Sequence, residues 1–195
     1  MTEPRIRHIK DVTYSPPAPG SRSEREWGFV GRINLQSMQI EIKYLADHPG
    51  HTHLLAKWFH DEWGKNNPSL TMEIIERRMR ERLNRDKIPL CMVALTKSKP
   101  IATATLKIRE MEIYSQFEHW LGNVYVLPEY RNQGVGSQIV EATADKAKSL
   151  GVKDLYLYTG DRKHFYHRLG WITLEQVEHL EHMVVVMRRT LQSAA

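Results

Sequence analysis

Arg131-Asn132-Gln133-Gly134-Val135-Gly136-Ser137 is the stretch whose residue types and spacing speak first of chemistry. It follows an apolar run rich in β-formers, Trp120 to Val126, that Pro128 ends, and from Val135 onward the apolar residues fall at helical spacing. Two glycines at a strand-to-helix corner let the backbone come close to a ligand and turn its N–H groups outward. Those N–H groups and the positive end of the helix dipole together form an anion site, and Arg131 adds a fixed positive charge beside it. A phosphate or pyrophosphate is the natural occupant. The spacing is neither the G-x-G-x-x-G of a dinucleotide fold nor the G-x-x-x-x-G-K-[ST] of a nucleotide P-loop.

The pattern R-x-x-G-x-G after a strand resembles the acetyl-CoA signature of the GNAT superfamily of N-acetyltransferases. A second segment, His164-Phe165-Tyr166-His167-Arg168-Leu169-Gly170-Trp171, is similar to the F-Y-x-x-L-G-[FYW] segment of the same superfamily. The resemblance spans about Ile40 to Leu191 and is strongest from Trp120 to Trp171. It implies an α/β (α+β) fold, a central mixed, mostly antiparallel sheet of about seven strands flanked by about four helices. It also implies direct attack of an amine on the thioester of acetyl-CoA. Backbone N–H groups of Val124, Tyr125 and Val126, after a bulge in the central strand, would hold the carbonyl and pantetheine. Arg131, Asn132, Gln133, Gly134, Val135, Gly136 and Ser137 would hold the pyrophosphate, Val135 through its N–H.

Tyr166 matches the tyrosine that serves many members as general acid to the departing thiolate, because a phenol is neutral near pH 7 and has a proton to give. Thr159 stands where members often carry a pantetheine-binding Asn, with Asp161 beside it. A base is not singled out: Asn123 on the central strand cannot be one, which leaves Glu118, His119 and Asp161. The acceptor would meet the end of the first helix, Asp61, Glu62 and Trp63, with Glu118 also a substrate contact, and a last hairpin loop carrying Glu175, Glu178, His179, Glu181 and His182. Carboxylates and tryptophans there suit a cationic amine.

The elements that must position these residues are legible from periodicity. Gln39 to Leu45 alternates as a strand. Thr52 to Trp63 is a helix with Leu55, Trp58, Phe59 and Trp63 on its apolar face, and Leu70 to Asn84 is a second, capped by Ser69 or Thr71. Pro89 to Thr96 and Ile101 to Arg109 form a hairpin turning at Lys97 to Pro100, and Glu110 to His119 has no clear pattern. A helix from Val135 to Leu150 turns Val135, Ile139, Ala142, Ala147 and Leu150 inward, with Gly151 after it. Asp154 to Thr159 is a strand, Lys163 to Leu169 a short helix, and Trp171 to Leu174 and Met183 to Leu191 the last strands.

Composition sets the outer bounds. With 195 residues and 41% hydrophobic content, the chain can bury one core. One cysteine excludes a disulfide framework and a cysteine-ligated metal, and the histidine pairs His51/His53 and His179/His182 lack a matched carboxylate set, so no metal is expected. No apolar run reaches membrane-spanning length and no signal-peptide core begins the chain, so a cytoplasmic location without membrane partners is expected. The net charge is +5, but the basic residues are dispersed and no nucleic-acid-binding motif accompanies them; an anionic donor accounts for part of that balance. The expected function is acetyl-CoA-dependent transfer to a primary amine of a small polar or cationic molecule, an aminoglycoside-type antibiotic being one such class, by a monomer or homodimer. The alternatives are acetylation of peptide amino termini, since the segment ending in Trp171 is also similar to that of such enzymes, and a non-catalytic acyl-CoA-binding regulator.

Residues 1–37 hold Pro16, Pro17, Pro19 and Gly20 among serines and arginines with no sustained apolar period, and read as a flexible arm or upstream extension ahead of a domain at 38–195. A chain beginning at Met38 is therefore expected to fold and keep its turnover. Thermal melting and an acetyl-transfer assay on the shortened chain check this, and a loss of stability would mean that Trp27 and Phe29 dock on the domain.

Overall fold

Alternation of exposed and half-buried residues draws Glu41–Tyr44 into the first strand, β1. The computed structural model describes residues 39–65 and 70–191; the arm at 1–37 and the candidate cap Ser69 lie outside them. Two 3-10 turns lead from β1 into α1, Thr52–Phe59, and a π-helical turn, His60–Gly64, continues it. Helix α2, Met72–Glu81, begins on Thr71, whose Oγ1 accepts the N–H of Ile74. Strands β2, Leu90–Thr96, and β3, Lys99–Ile108, form a hairpin. Its turn is only Lys97-Ser98, both at positive φ (46° and 62°) as a twisted two-residue hairpin demands, so Pro100 lies within β3 rather than in the turn.

The unpatterned stretch before β4, His119–Val126, carries one 3-10 turn at Glu112–Tyr114 and buries Met111 and Tyr114. Then follow α3, Val135–Ser149; β5, Asp154–Thr159; α4, Lys163–Arg168; β6, Ile172–His179; and β7, His182–Thr190. The sheet order is β1-β2-β3-β4-β5-β7-β6, antiparallel except for β4 beside β5. This is the seven-stranded mixed sheet with four helices that the sequence implied.

Strand alternation divides the sheet into two faces. Leu90, Met92, Ala94, Leu106, Leu121 and Leu155 pack with Val135, Ile139, Val140 and Ala144 of α3. On the other face Cys91, Val93 and Leu95 meet Leu55, Phe59, Ile75 and Met79 of α1 and α2, while Trp120 and Val186 cluster with Met111 and Tyr114. Helix α3 therefore turns Val140, Thr143 and Ala144 inward where Ala142 was expected, and Trp63 is 42% exposed rather than part of the α1 core face. The loop of the last hairpin is much shorter than expected. Glu175, Glu178 and His179 belong to β6, His182 opens β7, and only Leu180 and Glu181 turn, at φ 50° and 63°. An edge strand with outward charges reads in sequence as a loop, and charge there also discourages pairing with other chains.

One irregularity matters more than the rest. Thr103 pairs with Tyr125 but Thr105 pairs with Gly122, so β4 holds one residue too many. The bulge forces Asn123 to φ 49°, a conformation that Asn tolerates and β-branched residues do not. Asn123→Val is expected to cost about 1–2 kcal/mol of stability, and Asn123→Gly to stay within about 1 kcal/mol of the parent, measured by denaturant unfolding.

Candidate active site

The bulge sets the geometry of the candidate site. Before it, Leu121 faces α3 and Trp120 the opposite side; after it, Val124 and Val126 face α3 while Tyr125 turns to α1. Strands β4 and β5 pair at Trp120 with Tyr156, and no pairing follows it. Beyond that point they part, and the segment Val124 to Val126 has no sheet neighbour on its β5 side. Backbone donors that would otherwise be bonded within the sheet are thereby available to a ligand.

Past Val126 the chain makes a 3-10 turn, Pro128–Tyr130, and reaches the glycine corner. Arg131 Nε donates to the Val126 carbonyl at 2.9 Å, and its guanidinium lies 5.6 Å from the Tyr125 ring centre, so this arginine ties the corner to the end of β4. Gln133 Nε2 donates to the Glu129 carbonyl at 2.6 Å. Asn132 and Gly134 both adopt positive φ, 58° and 80°. Gly134 is the N-cap of α3 and supplies no side-chain cap, so the N–H groups of Val135, Gly136 and Ser137 remain at the helix start; the first helical bond is Gln138 N–H to the Gly134 carbonyl. The Val135 side chain is wholly buried, leaving only its backbone for a ligand. At Gly136 a Cβ would meet Phe165 Cζ at 3.5 Å and Val126 Cγ2 at 3.6 Å, ordinary contacts. Packing alone does not require glycine there.

Those contacts join the corner to α4. Phe165 stands at 5.0 Å, edge to face, from Tyr166, and Tyr166 at 6.0 Å from Trp171. Tyr166 is buried, and burial pushes its phenol up to about 12, the Asp161 charge adding to the rise and Arg162 opposing it. The hydroxyl therefore keeps its proton at neutral pH. Thr159 Oγ1 accepts the Arg162 N–H at 3.0 Å and so shapes the turn into α4, while Asp161 is exposed and paired with Arg162.

On the α1 side, Tyr125 meets Trp58 at 5.4 Å and Trp63 at 6.3 Å between ring centres, and burial followed by the Glu62 charge raises its phenol. Glu62 and Trp63 thus gather at the end of β4. Asp61 does not join them: it bonds Lys57 at 2.8 Å and Lys65 at 3.3 Å on the outer side of the helix, and the two lysines lower its pKa. Glu118 is exposed just before β4, roughly 20 Å along the strand from Val124, too far to act there.

A buried charge cluster that sequence reasoning missed lies nearer the bulge. Lys107 Nζ pairs with Glu110 Oε1 at 2.5 Å, with 13% and 22% of the two side chains exposed. The lysine stem lies across Gly122, where a Cβ would come within 2.9 Å of Lys107 Cε. Thr105 Oγ1, 3.2 Å from Asn123 Oδ1, donates to the Gly122 carbonyl at 2.7 Å. Tyr158 of β5 completes the ring, its phenol pushed up to about 12 by burial and then by Glu110. The spacing of Lys107 and Glu110 was the available signal, but Glu110 opened the stretch without a pattern. Among the described residues no group of three or more His, Cys, Asp or Glu could hold a metal, and no helix is long and apolar enough to cross a membrane.

Residues 52–171 match the acetyltransferase (GNAT) family. A stretch of 52 residues, 27% of the chain, is 38% identical to the amino-acid acetyltransferase of Aeromonas salmonicida (strain A449) and spans 12% of that protein. The fold is similar to an aminoglycoside 6′-N-acetyltransferase complexed with coenzyme A, at a TM-score of 0.64 and 13% identity over 80% of this chain and 99% of that one. It is similar also to yncA of Salmonella typhimurium with acetyl-CoA, at a TM-score of 0.64 and 13% identity over 80% and 96%. At such identities the likeness concerns the fold.

Gly136→Val fills the gap between Phe165 and Val126. Acetyl-CoA affinity, measured by calorimetry, is expected to fall at least about tenfold, or about 1.4 kcal/mol, in a variant that still melts cooperatively. Unchanged affinity would remove the glycine corner from the site.

Proposed function

The chain belongs to the acetyltransferase (GNAT) family, and from that premise we propose that it transfers the acetyl group of acetyl-CoA to the primary amine of a small polar molecule. The observation that carries this reading is a single convergence: the bulged end of β4, the uncapped start of α3 and the buried Tyr166 meet where β4 and β5 part.

The corner from Arg131 to Ser137 binds the pyrophosphate through the N–H groups of Val135, Gly136 and Ser137, with the helix dipole behind them. Val124 to Val126 donate backbone N–H groups to the pantetheine and to the thioester oxygen, which gains negative charge as the amine attacks. Glu110 takes the proton that the acceptor's ammonium must lose before it can attack. The amine nitrogen then bonds to the carbonyl carbon, the carbon–sulfur bond breaks, and the electron pair leaves on sulfur. Tyr166 gives its proton to that thiolate and recovers one from solvent; the amide nitrogen releases its second proton. Glu62, Trp63 and Tyr125 line the acceptor's approach from α1 and suit a positive charge.

Tyr166→Phe keeps the ring packing and removes only the hydroxyl. The expected result is a kcat lower by about 10²–10⁴-fold, nearer the lower figure because CoA thiol is a fair leaving group, with KM for acetyl-CoA little changed. Because the folded phenol titrates at about 12, the acid form persists throughout the usual assay range, and no alkaline fall in kcat below about pH 10 is expected from Tyr166. Steady-state rates at saturating amine check both points. Acetyl-CoA turnover across a panel of amines tests the function itself: binding of acetyl-CoA without turnover of any amine would make the chain an acyl-CoA-binding regulator.

A further inference from the structure

The charge cluster over Gly122 is incomplete as it stands. Glu110 answers Lys107, but Arg82, half-buried at the end of α2, has no carboxylate within salt-bridge distance among the described residues. Its Nη1 finds only the thioether of Met79, at 3.5 Å, while its carbonyl accepts the Cys91 N–H at 3.2 Å and anchors it beside β2. Arg82 is within electrostatic reach of Glu110, Lys107, Arg78 and Glu81; Arg78 and Glu81 are exposed. Cys91 beside it is kept a neutral thiol by burial, its pKa pushed up to about 11. A largely buried lysine and a half-buried arginine therefore face one carboxylate, and a guanidinium partly withdrawn from water with no anion beside it is costly unless something supplies one.

We propose that the acceptor is an amine that also carries a carboxylate, an amino-acid-type zwitterion, with its ammonium on Glu110 and its carboxylate on Arg82 and Lys107. This deepens the acetyltransferase reading and rests on it. The position fits: Lys107 crosses Gly122, the residue next to the bulge at Asn123, so a group held there has its amine beside the point where the thioester would lie. The charge fits as well. The acceptor's carboxylate supplies the anion that Arg82 lacks, and its ammonium takes the place of Lys107 on Glu110. Arg82 offers the planar fork that a carboxylate accepts in pairs, and Lys107 is released when the ammonium displaces it from Glu110.

Matched pairs of amines on the full chain test this: 4-aminobutyrate against butylamine, and lysine against cadaverine. The carboxylated member of each pair is expected to show kcat/KM at least about tenfold higher, mainly through KM. Arg82→Gln is expected to bring that ratio towards one and Arg82→Lys to restore part of it, each variant checked by thermal melting. If Arg82→Gln does not fold, Lys107→Gln reports the same ratio. Decarboxylated amines that serve equally well, or a ratio unchanged in the folded variants, would overturn the zwitterion proposal and leave the acetyltransferase reading in place. Acetyl-CoA binding with no amine of either kind acetylated would overturn both.

Discussion

One extra residue in β4 governs how this molecule is put together. A regular β4 would remain hydrogen-bonded to β5 along its length and bury its amides in the ladder, as strands in the middle of a sheet do. The bulge at Asn123 shifts the register against β3 and exchanges the faces of every residue that follows. Val124 and Val126 consequently face α3, Tyr125 faces α1, and the pairing with β5 does not extend past Trp120. The opening between the strands is thus a product of register. Its backing is firm, because Trp120 is fully buried among Tyr114, Phe117 and Tyr156.

The glycine corner depends on that bulge in turn. Arg131 bonds the carbonyl of Val126, so the position of the α3 start follows the end of β4. Helix α4 is fixed from the other side, where Thr159 holds the Arg162 N–H and Gly170, at φ 77°, lets the chain leave the helix and return Trp171 to the core. Phe165 touches both arrangements at once, through Gly136 and Tyr166. The burial that packs Tyr166 into the core also raises its phenol to about 12, which keeps the proposed proton donor protonated well above neutral pH.

Much of this was legible in the sequence, and the exceptions have physical reasons. Regular elements announced themselves by period, and the corner by its glycines and its helical sequel. The π-helical turn at His60–Gly64 and the loss of alternation along β6 were not legible, the first because the apolar spacing continues through it and the second because a charged edge strand looks like a loop. The Lys107–Glu110 pair was invisible for a different reason. The two stand only three residues apart, but Glu110 opens a stretch with no period to place it, so nothing local shows that the pair is buried over Gly122. Conversely Asp61 and Glu118 had the right chemistry and sat near expected elements, yet one is held by flanking lysines and the other stands at the wrong end of β4.

The proposed donor site is built from backbone, so it asks little of the side chains around it. The bulge, the parting of the strands and the helix start present N–H groups, and almost any side chain compatible with the register will present them as well. Selection of the acceptor cannot work that way, because backbone amides do not tell one amine from another. In the proposed reading it rests on side chains of the opposite face: Glu62 and Trp63 from the π-helical turn at one end, and Arg82 after α2, Lys107 of β3 and Glu110 beyond it at the other. On the proposed reading the donor chemistry stays fixed while the acceptor is free to differ, and the positive charge of Arg82 and Lys107 beside Gly122 is where this chain would select its own.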